Sequence, residues 1–188
     1  NLSSFDTSKV KDMGGMFAEC KSLKELDVSG FDTSEVTNMC DMFDGCENMK
    51  ELDVSGFNTS NVINMSDMFS CCMSLKELDL SGFDTSRVSD MYGMFRICRG
   101  LENLNVSSFD TSRVERMDHM FRDCKELKYL DLSSFDITNL RYRWDFADYD
   151  GLQVLRTPKK CGKNAIEFPH LMYDSNLNAY RFLPALIS

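Results

Sequence analysis

Basic residues, histidines, catalytic motifs and long apolar runs are scarce or missing in this 188-residue chain. Lysine and arginine number 21 against 30 acidic residues, for a net charge of −9. Phosphate recognition needs a basic surface, so a nucleic-acid partner is not expected. No run of about 18 apolar residues is present, which argues against membrane insertion by a helix. The two histidines, His119 and His170, stand in no nucleophile or metal pattern, and G-x-S-x-G, P-loop and H-E-x-x-H motifs are absent. An enzyme is therefore not expected, and no cofactor or catalytic metal is implied. No signal peptide starts at Asn1. The chain opens inside a repeat and stops at Ser188 without an anchor, as an excised piece of a longer protein would.

What is present in abundance is one 26-residue phrase, F-D-T-S-x-V-x-x-M-x-x-M-F-x-x-C-x-x-L-x-x-L-x-V-S-G. Phe5, Phe31, Phe57, Phe83, Phe109 and Phe135 mark its period without an insertion. A fixed period of this length signals a unit too small to bury its own apolar face, which must stack on its neighbours. Within one unit, Leu23-x-x-Leu26-x-Val28 has the L-x-x-L-x-L form of a short leucine-rich strand. Leu26 and Val28 turn inward and Glu25 and Asp27 outward, as strand geometry requires. Ser29-Gly30 releases the chain, and Asp32-Thr33-Ser34 supplies side chains that cap a helical turn. Val36, Met39, Met42, Phe43 and Cys46 follow at spacings of three and four, the pattern of one buried helical face, and the segment is short enough to be an α-turn pair, a 3₁₀ turn or partly extended.

Cys20, Cys46, Cys72, Cys98 and Cys124 fall in one column of the repeat. Parallel side chains in a ladder bridge poorly and five cannot all pair, so these are expected to be buried thiols acting as small hydrophobes. Cys40, Cys71 and Cys161 lie outside the column. Two methionine columns, Met13 to Met117 and Met16 to Met120, run beside Phe17, Phe43, Phe69, Phe95 and Phe121 and are read as sulfur–aromatic core. The sixth unit departs from the phrase: Arg143 and Phe146 replace the methionines and Asp150 the cysteine. Ala165–Phe168 reads as a strand, and Met172-Tyr173 with Ala179-Tyr180 as a hairpin.

The phrase F-D-T-S-x-V-x-x-M-x-x-M-F-x-x-C-x-x-L-x-x-L-D-L-S resembles the BspA-like leucine-rich-repeat family. Within it, the likeness is to the branch of mycoplasma lipoproteins and Firmicutes surface proteins, over about four-fifths of the chain. The resemblance implies a bacterial, extracellular or cell-surface protein with adhesive or ligand-binding roles, and it carries over no catalytic residue. The expected fold is an α/β repeat: a right-handed leucine-rich-repeat solenoid with a parallel sheet on one face and short helical turns on the other. It would occupy residues 1–156, as five regular units and one degenerate unit, with a cap or linker over 157–188.

The expected ligand surface is the outward strand face: Glu25 and Asp27, Glu51 and Asp53, Glu77 and Asp79, Asn103 and Asn105, and Tyr129 and Asp131. Like charges stacked at strand spacing repel, so the three acidic pairs ask for an explanation beyond stability. Three remain open: an electronegative patch for a basic partner, a weak Ca²⁺ site, or a solvated face that resists aggregation. The expected function is non-catalytic recognition of a host or neighbouring-cell protein by a monomer. The alternative is a stiff spacer that projects another domain from the cell surface.

Overall fold

The computed structural model describes residue 2 and residues 4–142, 152–158, 160–161, 171–174 and 179–182. Successive 26-residue units form stacked coils, joined in parallel register by single bridges from Asp12 to Asn38, Asn64, Asp90 and Arg116. The described residues form eight strands of two to four residues: β1 (Glu77–Leu78), β2 (Asn103–Leu104), β3 (Tyr129–Asp131), β4 (Asp136–Ile137), β5 (Val154–Arg156), β6 (Lys160–Cys161), β7 (Leu171–Asp174) and β8 (Ala179–Phe182). β1 pairs with β2 and β4 with β6, both parallel, while a four-stranded sheet runs in the order β3-β5-β8-β7. In it β3 and β5 are parallel, and β8 is antiparallel to both β5 and β7. The substituted positions Arg143, Phe146 and Asp150, and the expected strand Ala165–Phe168, lie outside the described residues.

The expected helical turns are not there: no described residue is helical. In their place each coil makes two consecutive four-residue turns. In the second coil these span Met39–Met42 and Phe43–Cys46, closed by Met42 N–H to Met39 O at 3.4 Å and Cys46 N–H to Phe43 O at 3.2 Å. The third residue of each turn is left-handed. The ten positive-φ positions among the described residues fall in two columns, Gly15/Asp41/Asp67/Gly93/His119 and Glu19/Gly45/Cys71/Ile97/Asp123. A left-handed residue every fourth position stops a right-handed helix from propagating. Two back-to-back turns place their corner residues inward at 39, 42, 43 and 46, the same spacing as a helical face, so the pattern mimics a helix that never forms. All four corner residues are fully buried.

Nor do the described residues form a continuous parallel sheet. Past the leucine positions the chain closes a local side-chain turn instead: Ser55 N–H donates to Asp53 Oδ1 at 2.9 Å and Ser81 N–H to Asp79 Oδ1 at 2.9 Å. The strands that do form alternate as expected, with Leu78 and Leu80 buried and Glu77 and Asp79 exposed.

Coils are joined on three sides. At the turns, alternate amides all point the same way: those of Met39, Asp41, Phe43 and Gly45 donate to the carbonyls of Asn64, Ser66, Met68 and Ser70 in the next coil, each at 2.9 Å. At the F-D-T-S corner a buried threonine clips two coils together. Thr85 Oγ1 accepts the Asp110 amide at 2.8 Å and donates to the Asp110 carbonyl at 3.0 Å. Thr7, Thr33, Thr59 and Thr111 repeat this clip on Asp32, Asn58, Asp84 and Asp136. The aspartate of the same motif does not cap a helix. Its Oδ1 accepts the amide two residues on, as Asp84 does from Ser86 at 2.9 Å, closing a local side-chain turn. Asn58 keeps that oxygen and does the same for Ser60 at 3.1 Å.

Inside the stack, Phe17, Phe43, Phe69, Phe95 and Phe121 form a ladder with centroids 5.6–5.8 Å apart and ring planes within 9° of parallel. The separation exceeds the roughly 4.8 Å between neighbouring strands, so the rings are slid into the favoured offset. Beside them the cysteine column is buried from Cys46 onward and its thiols are free. Each donates to a phenylalanine carbonyl of the preceding coil, from Cys98 Sγ to Phe69 O at 3.0 Å to Cys72 Sγ to Phe43 O at 3.3 Å. Burial pushes the thiols up, to about 11 at Cys46 and about 12 at Cys124, so they stay protonated.

Candidate functional site

The strand face carries one concavity of about 1110 Å³, and seven of the ten expected ligand residues line it: Glu51, Asp53, Glu77, Asp79, Asn103, Asn105 and Tyr129. Glu25, Asp27 and Asp131 lie outside it. Lys50, Ser74, Lys76, Glu102 and Leu104 complete the lining among the polar and half-buried neighbours. Strand alternation explains the arrangement. Leu52, Leu78 and Leu130 anchor the coil edges in the core while their neighbours project outward.

The two acidic columns differ in chemistry. Asp27, Asp53 and Asp79 are tied down locally, because each Oδ1 accepts from the serine two residues on, at 2.9–3.0 Å. Their carboxyls titrate below the usual range, held there by hydrogen bonds from the Ser29 and Ser55 hydroxyls and then amides, and from the Ser81 amide and then hydroxyl. Asn105 and Asp131 serve Ser107 and Ser133 in the same way. This column therefore has a structural role that period-2 alternation did not reveal. The clue was in the sequence: Asp27-x-Ser29 repeats the spacing of Asp32-x-Ser34.

Glu25, Glu51 and Glu77 have no such duty. They are exposed, and among the described residues no ion pair or side-chain hydrogen bond engages them. The flanking lysine at the centre, Lys76, pairs across to Glu102 of the next coil at 2.9 Å and does not neutralise Glu77. The face then changes character along the stack. Asn103 and Asn105 replace the carboxylates, and Tyr129 follows, 48% exposed, with its hydroxyl donating to Asp131 Oδ2 at 3.2 Å. Arg156 in β5 pairs with that same Asp131 oxygen at 3.1 Å, closing this end of the face with a cation.

Among the described residues no three histidine, cysteine, aspartate or glutamate side chains converge to hold a metal ion, so the acidic columns offer no calcium cage. His119 occupies a left-handed turn position and packs edge-on against Tyr92, with centroids 5.6 Å apart. His170 lies outside the described residues. Three arginines of the fourth and fifth coils are engaged on the turn flank. Arg87 donates to Asn61, Arg96 pairs with Asp67, and Arg116 pairs with Asp90 while lying 5.0 Å over the Tyr92 ring. No helix among the described residues is long and apolar enough to cross a membrane.

A family model described as "Mycoplasma protein of unknown function, DUF285" matches the chain over residues 1–99 and 71–146. No curated protein and no solved structure matches.

Proposed function

The chain belongs to this mycoplasma family of unknown function, and from that premise we propose that its strand face is a non-catalytic protein-recognition surface on a bacterial cell-surface protein. The observation that carries the proposal is the concavity whose wall holds Glu51 and Glu77, carboxylates with no structural partner, beside the exposed Tyr129 ring. Unspent carboxylates on a concave face favour a partner that brings lysine or arginine, and an exposed tyrosine is a usual anchor for a protein contact. The likeness of the repeat phrase to BspA-like surface proteins supports a location on the cell surface and a partner on a host or neighbouring cell. A stiff spacer is the second reading, favoured by the regular threonine clips and phenylalanine ladder, which make a rod without needing a ligand.

The test is a binding screen against extracellular-matrix and cell-surface proteins, using the chain and its Glu51→Lys/Glu77→Lys variant. Glutamate is the right target because replacing the neighbouring aspartates would also open their serine turns. Saturable binding that the variant loses supports recognition through this face. No saturable binding, or binding that the variant keeps, sinks it and favours the spacer.

A further inference from the structure

The outward column Glu25, Glu51, Glu77, Asn103, Tyr129 advances by one coil at each step, and all five residues are exposed. Neighbouring coils are hydrogen-bonded just ahead of it, Lys50 N–H to Lys24 O at 3.0 Å and Glu102 N–H to Lys76 O at 2.9 Å. Glu77 pairs directly with Asn103 in parallel register. Members of the column therefore stand one strand spacing apart, and its four steps cover about 19 Å. Its chemistry changes along that length. Three carboxylates without a side-chain partner among the described residues come first, then an amide, then a tyrosine. The concavity stays acidic despite its lysines, because Glu51, Asp53, Glu77, Asp79 and Glu102 outnumber Lys50 and Lys76, and Lys76 is already paired with Glu102.

A partner that meets the whole column must repeat at the same step. An extended strand turns every second residue to one side, so five contacts would stretch over about 27 Å and fall about 8 Å out of register. A helix turns residues three and four apart to one side, and i, i+4, i+7, i+11 and i+14 span about 21 Å. The excess of about 2 Å is taken up by the flexible stems of lysine and arginine. A second copy of the chain is the wrong occupant, since it offers no helix among its described residues.

Building on the reading of the strand face as the recognition surface, we propose that this column receives an α-helix of another protein, laid along the stack. Its lysine or arginine side chains at i, i+4 and i+7 meet Glu25, Glu51 and Glu77, and an apolar side chain at i+14 meets Tyr129. The cations neutralise carboxylates that the fold leaves unspent, and the contact at Tyr129 fixes which way the helix runs.

The test uses two peptides of equal composition, each held helical by the same hydrocarbon staple and titrated into the chain at about 0.15 M salt, where attraction between distant charges is screened. One carries lysines at i, i+4 and i+7 and leucine at i+14; the other spreads the same residues around the helix. The striped peptide should bind at least about tenfold more tightly than its isomer, and Glu51→Gln/Glu77→Gln should remove that advantage. Without its staple the striped peptide should gain helical circular dichroism on binding. Equal affinity of the two peptides, an advantage that the variant keeps, binding of neither, or an unstapled peptide that binds without becoming helical would each overturn the helix. Recognition through the strand face would survive any of these if the surface-protein screen still yields a ligand that Glu51→Lys/Glu77→Lys loses, and would fall with the helix if it does not.

Discussion

Thr85→Val is the sharpest probe of what joins one coil to the next. Thr85 is 1% exposed, and its hydroxyl serves both the amide and the carbonyl of Asp110, 25 residues on, at 2.8 and 3.0 Å. Valine keeps the shape, so almost no cavity forms, but the amide and carbonyl of Asp110 lose their partner. Each stranded group costs about 1–3 kcal/mol when buried, and the exposed Asp110 side chain lets water recover part of that. The expected loss is about 2–3 kcal/mol. With an m-value of about 2–3 kcal/mol/M in urea, the unfolding midpoint should drop by about 1 M. Thr85→Ser keeps the hydroxyl and removes one methyl, so it should cost about 1 kcal/mol. Equilibrium urea titrations followed by circular dichroism separate the two. A valine variant within about 0.5 kcal/mol of the parent, or a serine variant as damaged as valine, would show that the clip is not what holds the corner.

Three further outcomes follow from the same structure. Burial raises the Cys46 and Cys124 thiols to about 11 and about 12, so the stability they contribute is complete below pH ~9 and drains as pH rises towards those values; in a chain with Cys20, Cys40, Cys71 and Cys161 replaced by serine, thiolate absorbance should appear together with unfolding, and thiolates forming near pH 9 in that chain while it stays folded would contradict it. The carboxyls of Asp53 and Asp79 are held low by serine hydrogen bonds, so their contribution is present above pH ~4 and lost as pH falls below it; Asp53→Ala should therefore flatten the acid side of the stability curve, as thermal melts across pH 2–6 would record, and an acid side as steep as the parent's would contradict it. Gly93→Ala should destabilise the chain more than Gly15→Ala, because both are left-handed but a Cβ at Gly93 would run into Asp67 Oδ1 and one at Gly15 meets nothing nearer than 3.9 Å; equal melting temperatures for the two would count against the turn geometry.

The repeat length, the buried columns and the inward–outward alternation of the leucine strand were legible in the sequence because each depends on local spacing. Phe5 to Phe135 set the period, and Leu78 against Glu77 and Asp79 sets the faces. Helices at the turns were a wrong expectation for a definite reason: residues 39, 42, 43 and 46 satisfy a helical face and a pair of four-residue turns equally well. Gly15, Gly45 and Gly93 in the two left-handed columns were the available sign against a helix, although aspartate, glutamate, cysteine, isoleucine and histidine fill the same positions elsewhere. The threonine clip was not legible, since its partner lies 25 residues away in the next coil. On the candidate face, alternation indicated which side chains project outward, but the division of labour between the columns was not legible. The aspartates close local turns, which leaves the glutamates as the charges free to meet a partner.

That division gives the most direct measurement. The strongest ligand recovered from the surface-protein screen would be titrated calorimetrically into the chain, into Glu51→Gln/Glu77→Gln, and into Glu35→Gln, whose exposed carboxylate lies off the concavity. The account predicts at least about tenfold weaker binding for the double variant, equivalent to about 1.4 kcal/mol, and no change for Glu35→Gln. Equal affinity for all three chains, or equal losses in both variants, would contradict recognition through the strand face.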